Sequence, residues 1–234
     1  MDTFLSFRMI FLLMEVLAAV VGTFVYFDGC KISNVKNLMI FLWITLGIEI
    51  LGFYPFFISQ GSLCFLDNQY FSRNFWLYNI FTLAIFTFYV NFFKNQFNGL
   101  KIKKYINITL LLFLISAVIN LVFSGVFFKG YSSYSFIMGV LILLSAIFYY
   151  FYEMLQSDEI LHFHNSLPFY IAVGTLVTYL CIIPIFIFSK YYSRSISPDF
   201  VNVYGVIINL ANIFLYTCHI IGFIVCYRRN KSYS

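Results

Sequence analysis

Two carboxylates sit where an apolar chain has little reason to put them. Glu15 interrupts "LLMEVL", and Glu49 interrupts "LGIEILGFYP", a run that ends on Pro55. Amide and phenol groups recur in similar apolar settings: Asn79, Tyr179, Asn209 and Asn212. Carboxylates grouped with such donors, with no basic side chain nearby, could bind a cation, an amine or protons. The competing use of the same groups is as glue, a protonated or amide-bonded carboxyl holding two helices together. Groups suited to other chemistries are sparse. His219 is isolated in its apolar run, so it cannot build a zinc site and reads as a histidine bonded to a neighbouring helix. "EILH" spaces Glu159 and His162 like half of a carboxylate-bridged di-metal site, but no second half exists, and His162 and His164 read as a solvated loop. The last apolar run has no lysine for a retinal Schiff base, and "NIFLY" (212 to 216) lacks the proline of the receptor motif it otherwise spaces. Nothing resembles a nucleophile elbow or a phosphate loop. The expectation is a protein that is not an enzyme and holds no metal or cofactor.

What must position these groups follows from composition. Of 234 residues, 62% are hydrophobic, 23% aromatic and 10% charged, far fewer charges than the roughly 25% of a soluble domain. Windows of about 19 residues give long apolar runs, each near the ~20 residues that cross a bilayer as a helix. The expected spans are 7–27, 38–58, 74–94, 105–127, 134–155, 167–189 and 201–226. Alternating strands are absent, so the fold class is all-α and polytopic, one domain of seven transmembrane helices over 1–234. Glu15 and the full length of the first run argue against a cleaved signal peptide. Ser166 with Pro168, and Ser197 with Pro198, punctuate the starts of the last two helices. Ala18 and Gly22 have the spacing that lets a neighbour approach closely, here expected to be the second helix.

Charge sets the expected orientation. Lys31, Lys36, Lys94, Lys101, Lys103, Lys104, Arg228, Arg229 and Lys231 fall on one side, against Arg8, Arg73, Lys129, Lys190 and Arg194 on the other. Basic residues mark the cytoplasmic side, so the N-terminus is outside and the C-terminus cytoplasmic, in the inner (cytoplasmic) membrane. The net charge of +5 is then mostly a cytoplasmic-face signal; "GLKIKKY" suits anionic lipid, and nucleic acid is not implied. On this orientation Cys30 is cytoplasmic, Cys64 lies alone in an outer loop, and Cys181, Cys218 and Cys226 are within helices, so no outer disulfide framework is expected. Glu15 and Glu49 both fall about 12–14 Å below the outer surface, with Asn209 and Asn212 at a comparable depth. That suggests an outward-facing polar pocket.

Internal likeness offers a second reading. "LGFYPFF" (51 to 57) and "LCIIPIF" (180 to 186) share leucine, proline and phenylalanine offsets, and "NIF" recurs at 79 to 81 and 212 to 214. A parallel repeat of three helices, a connector and three helices would make Pro55 and Pro184 paired hinges. The runs "FYEMLQSDEILHFHNSLPFYIAVGTLVTYLCIIPIFIF" and "NFWLYNIF" resemble a group of uncharacterised seven-helix bacterial membrane proteins. The resemblance covers most of the chain and implies seven helices; it carries no site residues. The expected function is that of a sensor or accessory module acting through a membrane or cytoplasmic signalling partner. The alternative is a small-solute or proton-coupled transporter.

Overall fold

Hydrocarbon supplies no hydrogen bonds, so a chain within it must satisfy its own backbone, and a helix does so turn by turn. The computed structural model describes residues 2–30, 32–61, 70–188 and 198–232. In chain order the elements are α1 (Asp2–Phe27), α2 (Ser33–Leu51), a short α3 (Tyr54–Ser59), α4 (Phe75–Lys94), α5 (Leu100–Phe123), α6 (Ser133–Leu155), a 3-10 segment (Asp158–Asn165), α7 (Leu167–Ile187) and α8 (Pro198–Ser232). Among the described residues, seven helical stretches are long and apolar enough to cross a membrane, α2 and α3 together making one of them, Ser33–Ser59. The protein is an all-helical, multi-pass membrane protein.

Helix boundaries depart from the hydropathic runs for local reasons. The second run is not one helix: it breaks at Gly52 and Phe53, and Pro55 sits in the first turn of α3, where its missing N–H costs nothing. α5 begins at Leu100 inside the basic stretch and stops at Phe123, because Gly125 takes a positive φ of 67°. The apolar residues after Gly125 therefore prolong the hydropathy without prolonging the helix. Ser166 does occupy the N-cap of α7, yet its side chain makes no capping bond. Ser197, Cys64, Lys31, Lys190 and Arg194 lie outside the described residues, as do the side chains of Arg8 and Glu159.

The helices group into two compact units, Met1–Trp43 with Ile147–Ser234, and Ile44–Ala146. In the first, α8 is the central element. Toward α7 it presents Ala211, Leu215, Cys218 and Gly222: Thr178 Oγ1 donates to the Ala211 carbonyl at 2.9 Å, Gly174 lies against Cys218, and Gly222 against Leu167. The pairing of late α7 residues with early α8 residues makes these two antiparallel. Toward α1 the order is the same along both helices: Phe11 meets Tyr216 with ring centroids 5.8 Å apart, Gly22 meets the Phe223 ring, and Asp28 accepts from the Tyr227 hydroxyl. α1 and α8 are therefore parallel. Gly22 serves α8, not α2 as its spacing with Ala18 suggested; α2 reaches α1 through Trp43, whose indole N–H donates to Thr23 Oγ1 at 2.9 Å.

In the second unit Phe86 is the core residue. It is 1% exposed, lies over Gly139 of α6, and meets Phe113 of α5 and Phe136 of α6 edge-on. The α2–α3 elbow is fastened to the start of α4 by Asn74 Nδ2 donating to the Gly52 carbonyl and Trp76 Nε1 donating to the Tyr54 hydroxyl, at 2.8 and 2.9 Å.

These close approaches make a quantitative expectation. A Cβ at Gly22 would stand 2.8 Å from the Phe223 ring, whereas one at Gly47 would meet nothing within 4 Å. Gly22→Val should lower unfolding stability in detergent by about 1–3 kcal/mol, the scale of an overpacked contact. Gly47→Val should change it much less.

Candidate functional site

Most polar side chains inside the spans are consumed by their own helix. Thr82, Thr87, Thr175 and Thr217 each donate to the carbonyl four residues back, as does the Asn209 amide to Gly205 at 2.9 Å. This back-bonding is what a hydroxyl does when no water is near. Groups with another disposition are the ones that can carry a site.

Asn79 is explained by structure. It is 3% exposed, its Nδ2 donates to the carbonyls of Phe127 and Gly130 at 3.1 and 2.9 Å, and its Oδ1 accepts from Ser132 N at 3.0 Å. One side chain thus pins the α5–α6 connection to α4, with Ser132 Oγ in turn bonded to Asn120 and Ser135. Glu49 belongs to the same unit. It is half-buried on the last turn of α2 and its Oε2 accepts from the Tyr78 hydroxyl at 3.1 Å. That same hydroxyl fills the space a side chain on Gly52 would need. Glu49 and Asn79 therefore stand on α2 and α4 of the second unit, and Glu15, Tyr179, Asn209 and Asn212 on α1, α7 and α8 of the first.

Those four are not scattered within the first unit. Tyr216 and Phe223 face α1, and the three-four spacing that joins them runs on through one stripe of α8: Asn209, Asn212, Tyr216, His219, Phe223 and Cys226. All are buried except Asn212, which is half-buried. The matching stripe of α1 is Phe11, Glu15, Ala18 and Gly22. Glu15 lies four residues past Phe11, a rise of about 6 Å, and His219 three residues past Tyr216, about 4.5 Å. From the far contact, Glu15 is seven residues before Gly22 and His219 four before Phe223. The two contacts bracket the offset: Glu15 lies about 1.5 Å beyond His219 on the first and about 4.5 Å short of it on the second, so the two share one turn of the seam. Both are 0% exposed. Tyr216 stacks on His219 at 5.9 Å between ring centroids. Tyr179, 7% exposed, adds a phenol on α7 one residue from the Thr178 bond to α8.

His219 is the residue that the spacing of carboxylates and amides passed over. It was legible as part of the periodic stripe Asn209, Asn212, Tyr216, His219, although a single histidine in an apolar run looks like core. Pro184 lies inside the last turn of α7, whereas Pro55 starts a helix, so the two prolines have different local settings. Among the described residues no three His, Cys, Asp or Glu side chains converge as a metal site requires. His162 and His164 are exposed on the 3-10 segment. No family model matches the chain, and no curated protein or solved structure is significantly similar to it.

Asn79→Ala would leave two buried carbonyls and one N–H without their partner, each an uncompensated group costing about 1–3 kcal/mol. Asn79→Ala should therefore destabilise the protein strongly in chemical or thermal unfolding, and Asn79→Asp, which keeps the acceptor and loses the donor, should fall between it and the wild type.

Proposed function

We propose that the protein is a non-enzymatic sensor module of the bacterial inner membrane, with its N-terminus outside and its C-terminus in the cytoplasm, and that the polar seam between α1 and α8 is its responsive element. The observation that carries this reading is the burial of Glu15 and His219 within one turn of facing helix stripes. A carboxyl and an imidazole inside hydrocarbon are costly, at least about 2.5 kcal/mol for an ionised carboxylate on insertion scales, and such groups mark ion or proton pathways by default. Here the buried titratable groups on the elements that meet α8 are Glu15 on α1 and Tyr179 on α7, with Tyr216, Cys218, His219 and Cys226 on α8 itself; His162 and His164 of the 3-10 segment are exposed. Protons, or a small cation replacing one, are the stimulus such a set answers to.

Transmission follows from geometry. α1 and α8 are parallel and in contact along their length, and α8 ends in Arg228, Arg229 and Lys231. A change in the seam would reach this basic end, which is suited to anionic lipid or to a cytoplasmic partner. The transporter reading needs the three-one-three repeat and paired proline hinges. The dissimilar settings of Pro55 and Pro184 favour the sensor.

The test uses native reporters. Trp43 is bonded to Thr23 of α1, so its emission in lipid nanodiscs should change sigmoidally somewhere between about pH 4 and 9, the range in which Glu and His titrate. Both Glu15→Gln and His219→Gln should abolish or displace that transition while Glu49→Gln leaves it in place. A profile identical in wild type and both seam variants defeats the proposal. Proton or solute flux in proteoliposomes that is lost in Glu15→Gln would replace it with the transporter reading.

A further inference from the structure

We propose that Cys30 and Cys226 form a reversible disulfide, installed by hydrogen peroxide, that covalently joins the end of α1 to α8. Their thiols meet with sulfurs 3.0 Å apart, although 196 positions separate them in the chain. Both are buried, Cys30 at 0% and Cys226 at 3% exposure. The two thiols are in hydrogen-bond contact, and about 1 Å of approach reaches the S–S bond length of about 2.05 Å. A metal held between them tetrahedrally, with bonds of about 2.3 Å, would instead require the sulfurs to spread to about 3.8 Å. No third ligand group converges there among the described residues. The geometry favours a bond over a metal.

The surrounding contacts hold this approach in place. Gly29 adopts a φ of +121°, a backbone turn that glycine makes without strain, and the Cys30 N–H donates back to the Val25 carbonyl at 3.1 Å. Asn230 Nδ2 donates to the Gly29 carbonyl at 3.2 Å, and the Tyr227 hydroxyl donates to Asp28 Oδ2 at 2.6 Å. The two residues before Cys30 are thus tied to residues that follow Cys226. Beside them a cleft of about 510 Å³ is lined by Phe24, Val25, Phe27, Asp28 and Tyr227. Sulfurs this buried call for an oxidant as small as hydrogen peroxide, since one of protein size could not reach them.

The chemistry balances without a further reagent. Cys226, the thiol that keeps some exposure, attacks one peroxide oxygen: an S–O bond forms, the O–O bond breaks, and the departing oxygen takes up the thiol proton and leaves as water. Cys30 then attacks the sulfenic sulfur; the S–S bond forms, the S–O bond breaks, and a second water leaves. Two thiols give up two protons and two electrons, and one peroxide becomes two waters. Thiol exchange with a reductant reverses the bond.

Full-length protein in lipid nanodiscs would be treated with hydrogen peroxide, denatured, alkylated with N-ethylmaleimide and mapped by mass spectrometry after digestion. The expected product is one peptide pair linked through Cys30 and Cys226, about 2 Da lighter than the sum of its thiol forms and separated by dithiothreitol. Cys30→Ala should stop the reaction halfway and yield a dimedone adduct on Cys226. Should that variant not fold, the wild-type map decides alone. Recovery of both thiols fully alkylated under conditions that oxidise Cys181 or Cys218, linkage of either to another cysteine, or overoxidation to sulfinic acid without linkage would each overturn the proposal.

Discussion

A polar group in hydrocarbon has to find its partner inside the protein, and the architecture follows from that constraint. It makes every span a helix, and it sends most hydroxyls back to their own backbone, as Thr82, Thr87, Thr175 and Thr217 show. Among the described residues, other groups link one helix to another. Thr178 reaches the α8 backbone, Trp43 reaches Thr23, Tyr78 reaches Glu49, and Asn79 holds a whole interhelical connection. Asn79 is more buried than Tyr179 or Asn209, yet its amide is fully engaged by backbone. Burial of a polar residue is therefore not by itself a sign of function here; what the residue is spent on decides.

The second consequence concerns how helices meet. Lipid chains are as apolar as leucine, so nothing analogous to the hydrophobic effect presses membrane helices together, and close packing has to supply the attraction. Glycine is where that happens in this protein. Gly22 admits Phe223, Gly174 admits Cys218, Gly222 admits Leu167, and Gly139 admits Phe86. α8 uses two such seams on different faces, an antiparallel one with α7 and a parallel one with α1. The parallel seam carries Glu15 and His219 in its middle, and at its end Asp28, Gly29 and Cys30 are bonded to the residues around Cys226.

How much of this was legible follows the same physics. Spans were readable because crossing a bilayer demands about 20 apolar residues whatever the tertiary structure. Where that demand ended, the reading weakened: the break at Gly52 and the early stop of α5 at Gly125 are set by backbone geometry within continuous apolar text. The choice of partner was less accessible still. Ala18 and Gly22 announced a close approach, but spacing on one helix cannot say whether α2 or α8 makes it. Candidate residues were picked by polarity and depth, and depth alone cannot separate Asn79, consumed by a loop, from Glu15, set on a seam. His219 and the Cys30–Cys226 contact were hidden for a simpler reason. Each depends on which face of α8 meets α1, and that information lies in the pairing of helices nearly 200 residues apart.

Magnitudes narrow what the proposed seam must do to be a switch. A neutral hydrogen bond between membrane helices contributes about 0.6 kcal/mol and at most about 1.7 kcal/mol. Turning a two-state element from 1:99 to 99:1 requires about 5.5 kcal/mol. Gaining or losing one neutral Glu15 or His219 bond therefore moves the population only part of the way, by a factor of about 3 to 20. Placing or removing a charge at that depth is worth about 2.5–3.5 kcal/mol on insertion scales, and two coupled events approach the full requirement. If α1 and α8 have two arrangements, the lever between them has to be ionisation at the Glu15–His219 level. On these numbers a purely hydrogen-bonded seam gives a graded response, and a titrating pair gives one that is nearly all-or-none.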